Sequence, residues 1–202
     1  MLIPFSSLNE VAAYHLLTQT VVPRPIAWVL SADAGTGRLN LAPFSFFTAI
    51  ASDPALLAFS VGNRLGGRVK DTDANAMIGA PLVVHIPGRR QHAGVQASAA
   101  PLPNDESELD DPSVDDALDA SWEFPLPRLA ESPVAFGCTV TRRVELTDEP
   151  GAQILVIARA ELAWVSDEAV GQDRKGRLRI DPQTVDPLSR LGAGRFGATM
   201  PL

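Results

Sequence analysis

The 202-residue chain is poor in the side chains that build most self-contained reaction centres: one cysteine, three histidines and one tyrosine. A lone Cys138 excludes an intramolecular disulfide and any cysteine metal cluster, and it fits a reducing, cytoplasmic setting. Basic residues are in the minority, 17 Lys and Arg against 24 Asp and Glu, for a formal net charge of -7. Nucleic-acid binding wants a basic face, so no nucleic-acid partner is expected. No run reaches the roughly 18 apolar residues that span a bilayer, so no membrane association is expected. The longest mainly apolar stretch, 39–51, is broken by Asn40, Pro43 and Ser45. The opening MLIPFSSLNE has no Lys or Arg before its apolar residues and so lacks a secretory signal pattern. Apolar residues at 46% and charged residues at 20% exclude a disordered chain, and the length suits one domain over 1–202.

Familiar catalytic patterns are equally scarce. His15, His85 and His92 stand at no paired metal-ligand spacing. His85 lies in an apolar run and reads as a hydrogen-bonded core residue. No G-x-S-x-G elbow occurs. Cys138 has apolar neighbours in phase along a strand and reads as a buried, inert thiol. Gly192-Ala193-Gly194-Arg195-Phe196-Gly197 fits G-x-G-x-x-G literally. A dinucleotide fingerprint needs a strand before it, a helix after it and an acidic residue about twenty positions on, and only 198–202 follow.

What is present is mostly strand pattern. Leu8, Val11, Ala12, His15 and Leu16 recur at helical spacing over 7–18, with Asn9 as N-cap. Pro23-Arg24-Pro25 ends that helix. Residues 25–31 read as a strand apolar on both faces, and the turn Asp33–Gly37, with two glycines for positive φ, leads into a returning strand over 38–42. Further strands are expected over 56–61, 82–86, 133–147 and 153–165, the last two forming the clearest hairpin. Asp71 or Thr72 caps a helix to about Met77, and 88–99 forms another. Residues 101–127 read as a solvated acidic excursion with a short helix near 114–118. The segment 176–202 is polar and glycine-rich. Hairpin-linked strands that outnumber helices predict a mainly β, antiparallel barrel or sandwich with peripheral helices.

Two constellations carry possible chemistry. Asn40-Leu41-Ala42-Pro43-Phe44-Ser45-Phe46-Phe47 places aromatics and a hydroxyl after a strand that Pro43 prevents from continuing simply. Such a corner presents backbone N–H groups and Ser45 Oγ to the edge of a flat ring; the alternative is an ordinary core corner, as Phe46 and Phe47 mostly are. The second runs from Ser60 to Asn75, where a glycine loop brings Arg64, Arg68 and Lys70 to Asp71-Thr72. Cations beside a hydroxyl and a helix start suit a phosphate; the alternative is a solvated basic loop.

Together with Pro23–Val29, the Lys70-Asp71-Thr72 run with Asn75, Glu131–Val134 and Arg190-Leu191-Gly192, these blocks resemble the flavin reductase-like family over about 15–198. The resemblance implies a homodimeric, six-stranded Greek-key split barrel with FMN at or near the subunit interface and NAD(P)H as co-substrate. It implies that Ser31 faces the flavin. Asn40, Ala42 and Ser45 would meet ring and ribityl groups, Ser60, Arg64, Lys70 and Thr72 would form the phosphate side, Arg24 would join the same pocket, and Pro43, Phe44, Asp71 and Asn75 would also bind the cofactor. The implied activity is hydride transfer from NAD(P)H to bound flavin, with the cofactor carrying the chemistry. Reduced flavin would pass to an electron acceptor, including a partner monooxygenase. An electron carrier or flavin-holding module without NAD(P)H turnover uses the same cradle, and a cofactor-free structural dimer keeps the barrel alone. The sequence departs from the family at Thr48, His85, Ala193 and Phe196, where Asn, Asn, Gly and Tyr are frequent.

Overall fold

The computed structural model describes residues 1–62, 69–100, 102, 106–114, 116–149 and 152–198. Seven strands form its main sheet: β1 (Ala27–Ala32), β2 (Leu39–Phe44), β3 (Phe47–Ser52), β4 (Ala55–Gly62), β5 (Pro81–Ile86), β6 (Val134–Glu145) and β7 (Gln153–Val165). Their order is β2-β1-β5-β6-β7-β4-β3, antiparallel throughout. Strands β5, β6 and β7 are consecutive neighbours and β4 returns beside β7, which is a Greek key.

The sheet curls around one interior, with the outer edges of β2 and β3 left unpaired to each other. Ala27 and Val29 of β1, Phe44 of β2, Phe59 and Val61 of β4, Leu82 and Val84 of β5, Cys138 and Val140 of β6, and Ile154 and Val156 of β7 form one buried cluster. Phe44 and Phe59 meet at 5.3 Å between ring centroids, closing the interior between β2 and β4. Six strands thus wall the split barrel, and β3 is a seventh added at the edge. Its residues after Phe47 are exposed, which is why their pattern does not read as a strand.

Strand β1 is apolar on both faces because both faces are covered. Trp28 and Leu30 point away from the barrel interior into a second cluster with Leu41, Val95 and Leu129. That cluster also takes Val114, Trp122 and Leu126 from the acidic segment. The expected solvated excursion is therefore corrected: its few apolar residues complete the outer core, and one of its acids, Glu108, is buried with them. Nor is there a helix among the described residues of 114–118, which are 114 and 116–118. Among the described residues this stretch has a 3-10 turn at Glu108–Asp110 and a two-strand ladder of Leu118–Asp119 with Arg128–Leu129.

Local signals explain the other elements. Helix α1 (Glu10–Thr20) is capped by Asn9, whose side chain accepts from Ala12 N at 2.8 Å. In the β1–β2 turn Asp33 Oδ1 accepts from Thr36 N at 2.7 Å, and only Gly37 takes a positive φ, 73°. Helix α2 (Asp71–Asn75) begins after Lys70, so the N-cap is Lys70 and neither Asp71 nor Thr72. Residues 88–99 form a 3-10 turn, Arg89–Gln91, and α3 (His92–Ala97). The C-terminal segment holds α4 (Pro182–Val185) and a hairpin of β8 (Leu188–Gly192) with β9 (Arg195–Ala198). The glycine pattern at 192–197 is the turn of that hairpin, with φ of 80°, 48° and 76° at Gly192, Ala193 and Gly194. A Cβ on Gly192 would lie 2.5 Å from the Thr18 carbonyl oxygen, so glycine also lets β8 reach α1. Among the described residues no helix is long and apolar enough to cross a membrane.

Two buried groups follow the sequence reading. Burial pushes the Cys138 thiol up to about 12. His85 is fully buried; Leu129 N donates to its Nε2 at 2.9 Å, and its Nδ1 lies 3.0 Å from the Trp28 carbonyl oxygen. The first bond requires an unprotonated Nε2, so Nδ1 carries the proton and donates. Burial pulls this imidazole from 6.5 to about 4. A depressed histidine keeps its full contribution above pH 6.5 and loses it as pH falls towards 4, because the unfolded chain takes up the proton first. Wild-type protein is expected to lose about 3 kcal/mol more stability than His85→Gln between pH 7 and 4, a shift converted at roughly 1.4 kcal/mol per unit. Urea denaturation across that range measures it; parallel curves for the two proteins would refute the buried neutral histidine.

Candidate functional site

The free edge of β2 organises the site. In the β1–β2 ladder Leu39, Leu41 and Pro43 share one phase, and their backbone groups face away from β1. Ser107 Oγ donates to Leu39 O at 2.9 Å, and Leu41 N donates to Glu108 Oε2 at 3.2 Å. Pro43 has no N–H to offer and occupies the next outward position, so a proline inside a strand breaks no ladder bond here. The strand accordingly runs on to Phe44, and the corner falls at Ser45–Phe46 rather than at Pro43.

A cleft of about 240 Å³ lies along this edge, lined by Asn40, Ala42, Pro43, Phe44, Lys70, Asp71, Thr72, Ser98, Ala99, Ala100 and Glu108. A second, of about 220 Å³, is lined by Tyr14, Ile26, Pro43, Ser45, Val95, Gln96, Ala99, Arg190 and Phe196. Pro43 and Ala99 line both, so the clefts adjoin. The aromatic corner and the Lys70 turn, 25 positions apart in sequence, thus meet at one trough. Two larger grooves, of about 520 and 610 Å³ beside Arg90 and Gln91, hold none of the expected residues.

Helix α2 is held onto the sheet by a set of buried bonds. Asn40 Nδ2 donates to Thr72 Oγ1 at 2.9 Å, and Asn75 Nδ2 to Ser31 Oγ at 3.1 Å. Arg143 of β6 donates to Asp73 O at 2.7 Å and Ala76 O at 3.0 Å and pairs with the Asp73 carboxylate. Thr72 accepts from Asn40, which leaves its own proton to donate to an anion. Lys70 Nζ stands 5.7 Å from the centre of the Phe44 ring.

The expected site residues divide accordingly. Asn40, Ala42, Pro43, Phe44, Lys70, Asp71 and Thr72 line one cleft and Ser45 the next. Ser31 is fully buried, and Asn75 reaches it from behind, so these two support α2 and do not line either cleft. Ser60 also lies outside both linings, and its hydroxyl accepts from the Gln153 amide. Arg24 is buried; it donates to Val21 O at 2.8 Å and to Thr18 O, tying down the end of α1, and its Nε reaches Ser45 Oγ at 3.5 Å. It positions the corner. Phe46 is 43% exposed and is not a core residue. Arg64 and Arg68 lie outside the described residues. The sequence reading missed Glu108, Ser98–Ala100, Tyr14 and Phe196. Glu108 is hidden in its acidic run, where nothing distinguishes a carboxylate that ends up 5% exposed from its solvated neighbours.

Comparison with known proteins decides the family. The family model described as "Flavin reductase like domain" matches residues 19–180. The chain belongs to this flavin reductase-like family. The Bacillus subtilis protein YwrF is 37% identical over 191 residues, covering 94% of this chain and 90% of its own. Nitrilotriacetate monooxygenase component B from Bacillus cereus superposes with a TM-score of 0.87 at 30% identity, over 100% of this chain and 96% of the other. The 2-nitrobenzoate 2-nitroreductase NbaA of Pseudomonas fluorescens follows at a TM-score of 0.82 and 26% identity, over 100% and 93%. In this flavin reductase-like barrel, then, the trough beside β2 is built from the 40–45 corner and the Lys70–Thr72 turn.

Glu108 gives a direct test of that edge. Glu108→Ala leaves the buried Leu41 N–H without its acceptor, which costs about 2 kcal/mol on the scale of an unsatisfied buried donor. Faster hydrogen exchange at the Leu41 amide and a lower urea midpoint are expected, with Glu108→Gln restoring most of the protection. Unaltered exchange in Glu108→Ala would show that the contact does not hold the strand.

Proposed function

We propose that the protein is an FMN-dependent oxidoreductase that passes hydride from NAD(P)H to bound flavin. The observation that carries this reading is the adjoining pair of clefts, one with Lys70 and Thr72, the other beside Ser45, in a chain of the flavin reductase-like family. The donor set fits FMN. Lys70 supplies charge and Thr72 a hydroxyl for a phosphate, and Arg64, from the loop before them, would add a second cation. Asn40 and Glu108 offer acceptors to the hydroxyls of the ribityl chain. Ala42, Pro43 and Phe44 give an apolar wall for the ring system, and Ser45 stands at its rim.

When bound, the flavin supplies the two-electron chemistry, taking a hydride from the reduced nicotinamide, which leaves oxidised. The side chains bind and orient. Donors at the Ser45–Phe46 corner would stabilise negative charge on the ring, since fixed dipoles in a half-dry cleft need no reorganisation. Arg24 holds Ser45 from behind without spending the corner's backbone. Ser31, Asn75 and Arg143 keep α2, and with it Lys70 and Thr72, at a fixed distance from β2.

Two subunits per assembly belong to the same reading. Exposed Leu17, Val21 and Val22 at the end of α1 and Phe46 and Ile50 near β3 flank Arg24, an apolar surface suited to a second copy. The similarity to a monooxygenase component supports delivery of reduced flavin to an oxygenase partner, in a cytoplasm where NAD(P)H is available.

The test begins with the visible spectrum of purified protein mixed with FMN, then made anaerobic and given NADH or NADPH. Flavin absorbance that bleaches in a stopped-flow within a second is expected; bleaching only by a reduced partner protein would replace the enzyme with a carrier. Lys70→Ala is expected to weaken FMN binding about ten- to a hundredfold, the worth of a charge-assisted hydrogen bond. Fluorescence quenching reads the dissociation constant, and an unchanged value removes Lys70 from the site.

A further inference from the structure

The cleft beside Ser45 has a charge pattern unlike that of its neighbour. Among its described lining residues Arg190 is the one charged side chain, set among Ile26, Pro43, Val95 and Phe196. Its place is fixed twice. Arg190 sits opposite Arg24 in the ladder between β8 and the two-residue strand Arg24–Pro25. Its guanidinium lies 4.2 Å from the centre of the Phe196 ring, which His92 braces edge-on at 4.5 Å. Stacking occupies a face of the guanidinium and leaves its N–H edge for hydrogen bonds. The hydrogen bond from that edge to the Gly194 carbonyl is long, 3.4 Å. Arg89, Arg128, Arg143, Arg159 and Arg177 each pair with a carboxylate, whereas among the described residues Arg190 pairs with none. In a chain of net charge -7, a held cation with an open edge, in a cleft that offers both apolar walls and the polar groups of Tyr14, Ser45 and Gln96, is a site for an anion.

We propose that this cleft binds a flat aromatic carboxylate beside the flavin ring. This rests on the reading above that the flavin ring lies at the adjoining corner. The planar fork of Arg190 matches a carboxylate with two parallel hydrogen bonds. Ile26, Pro43, Val95 and Phe196 cover the faces of a ring. The volume, about 220 Å³, admits a one-ring compound and not a whole dinucleotide. One cation suits one negative charge better than a phosphate.

The experiment titrates FMN-loaded protein with benzoate and with its neutral counterpart benzamide, read by the perturbation of the flavin absorption band. Benzoate is expected to bind about tenfold tighter or more. Arg190→Gln is expected to erase that preference and Arg190→Lys to keep part of it, since charge remains while the fork is lost. Equal affinities in the wild type overturn the proposal, as does a preference that survives Arg190→Gln. A parallel titration with NAD⁺ separates the other source of anionic groups. If the substitution weakens NAD⁺ and leaves benzoate unaffected, the cleft serves the pyrophosphate of the dinucleotide and the aromatic acid is refuted. A wild-type protein that takes up no FMN sinks the flavin reading instead. Calorimetry of benzoate and benzamide on the FMN-free protein then still decides the cleft.

Discussion

The outward edge of strand β2 is the constraint on which the rest of the architecture depends. An antiparallel strand at the end of a sheet has every second N–H and C=O unpaired, and a protein must cover, charge or interrupt that row. Here three devices act in succession along six residues. Ser107 takes the Leu39 carbonyl, Glu108 takes the Leu41 amide, and Pro43 has no amide to take. The coverage comes from side chains rather than from another strand, so a hollow remains between the edge and α2. That hollow is the candidate cofactor site. A strand pairing at the same edge would have produced a larger sheet and no trough.

The support behind the trough is polar and buried, which is where its specificity of position comes from. Buried hydroxyls and amides are tolerated only when paired, so Asn40 with Thr72 and Asn75 with Ser31 admit few alternative placements of α2. Arg143 adds a charged clamp from β6. On the other side Arg24 links the end of α1 to Ser45. The functional side chains are short of conformational choice before any ligand arrives, and preorganisation of this kind is what lets a cofactor do the chemistry with little catalytic machinery around it.

Much of this was legible in the sequence, for identifiable reasons. The β6–β7 hairpin, the double-sided apolar strand β1 and the cap at Asn9 follow from short-range pattern. The pairing of the Ala42–Ser45 corner with Lys70 and Thr72 came from the family resemblance and not from spacing. Strand β3 was missed because its outward residues carry no alternation. The tail hairpin was missed because its glycine-rich turn dominates its composition. Ser31 and Asn75, expected at the cofactor, bond to one another and lie outside both cleft linings, since a family block marks a neighbourhood and not the direction of a side chain. Glu108 was invisible among equivalent acids, for its burial depends on a contact 67 positions away in the chain.

A structure of the protein crystallised with FMN measures the central claim most directly. The account requires the phosphate within hydrogen-bonding distance of Lys70 and Thr72 and the ring system against Pro43, Phe44 and Ser45. Flavin bound away from the β2 edge, or a ring turned towards the grooves beside Arg90, would contradict it.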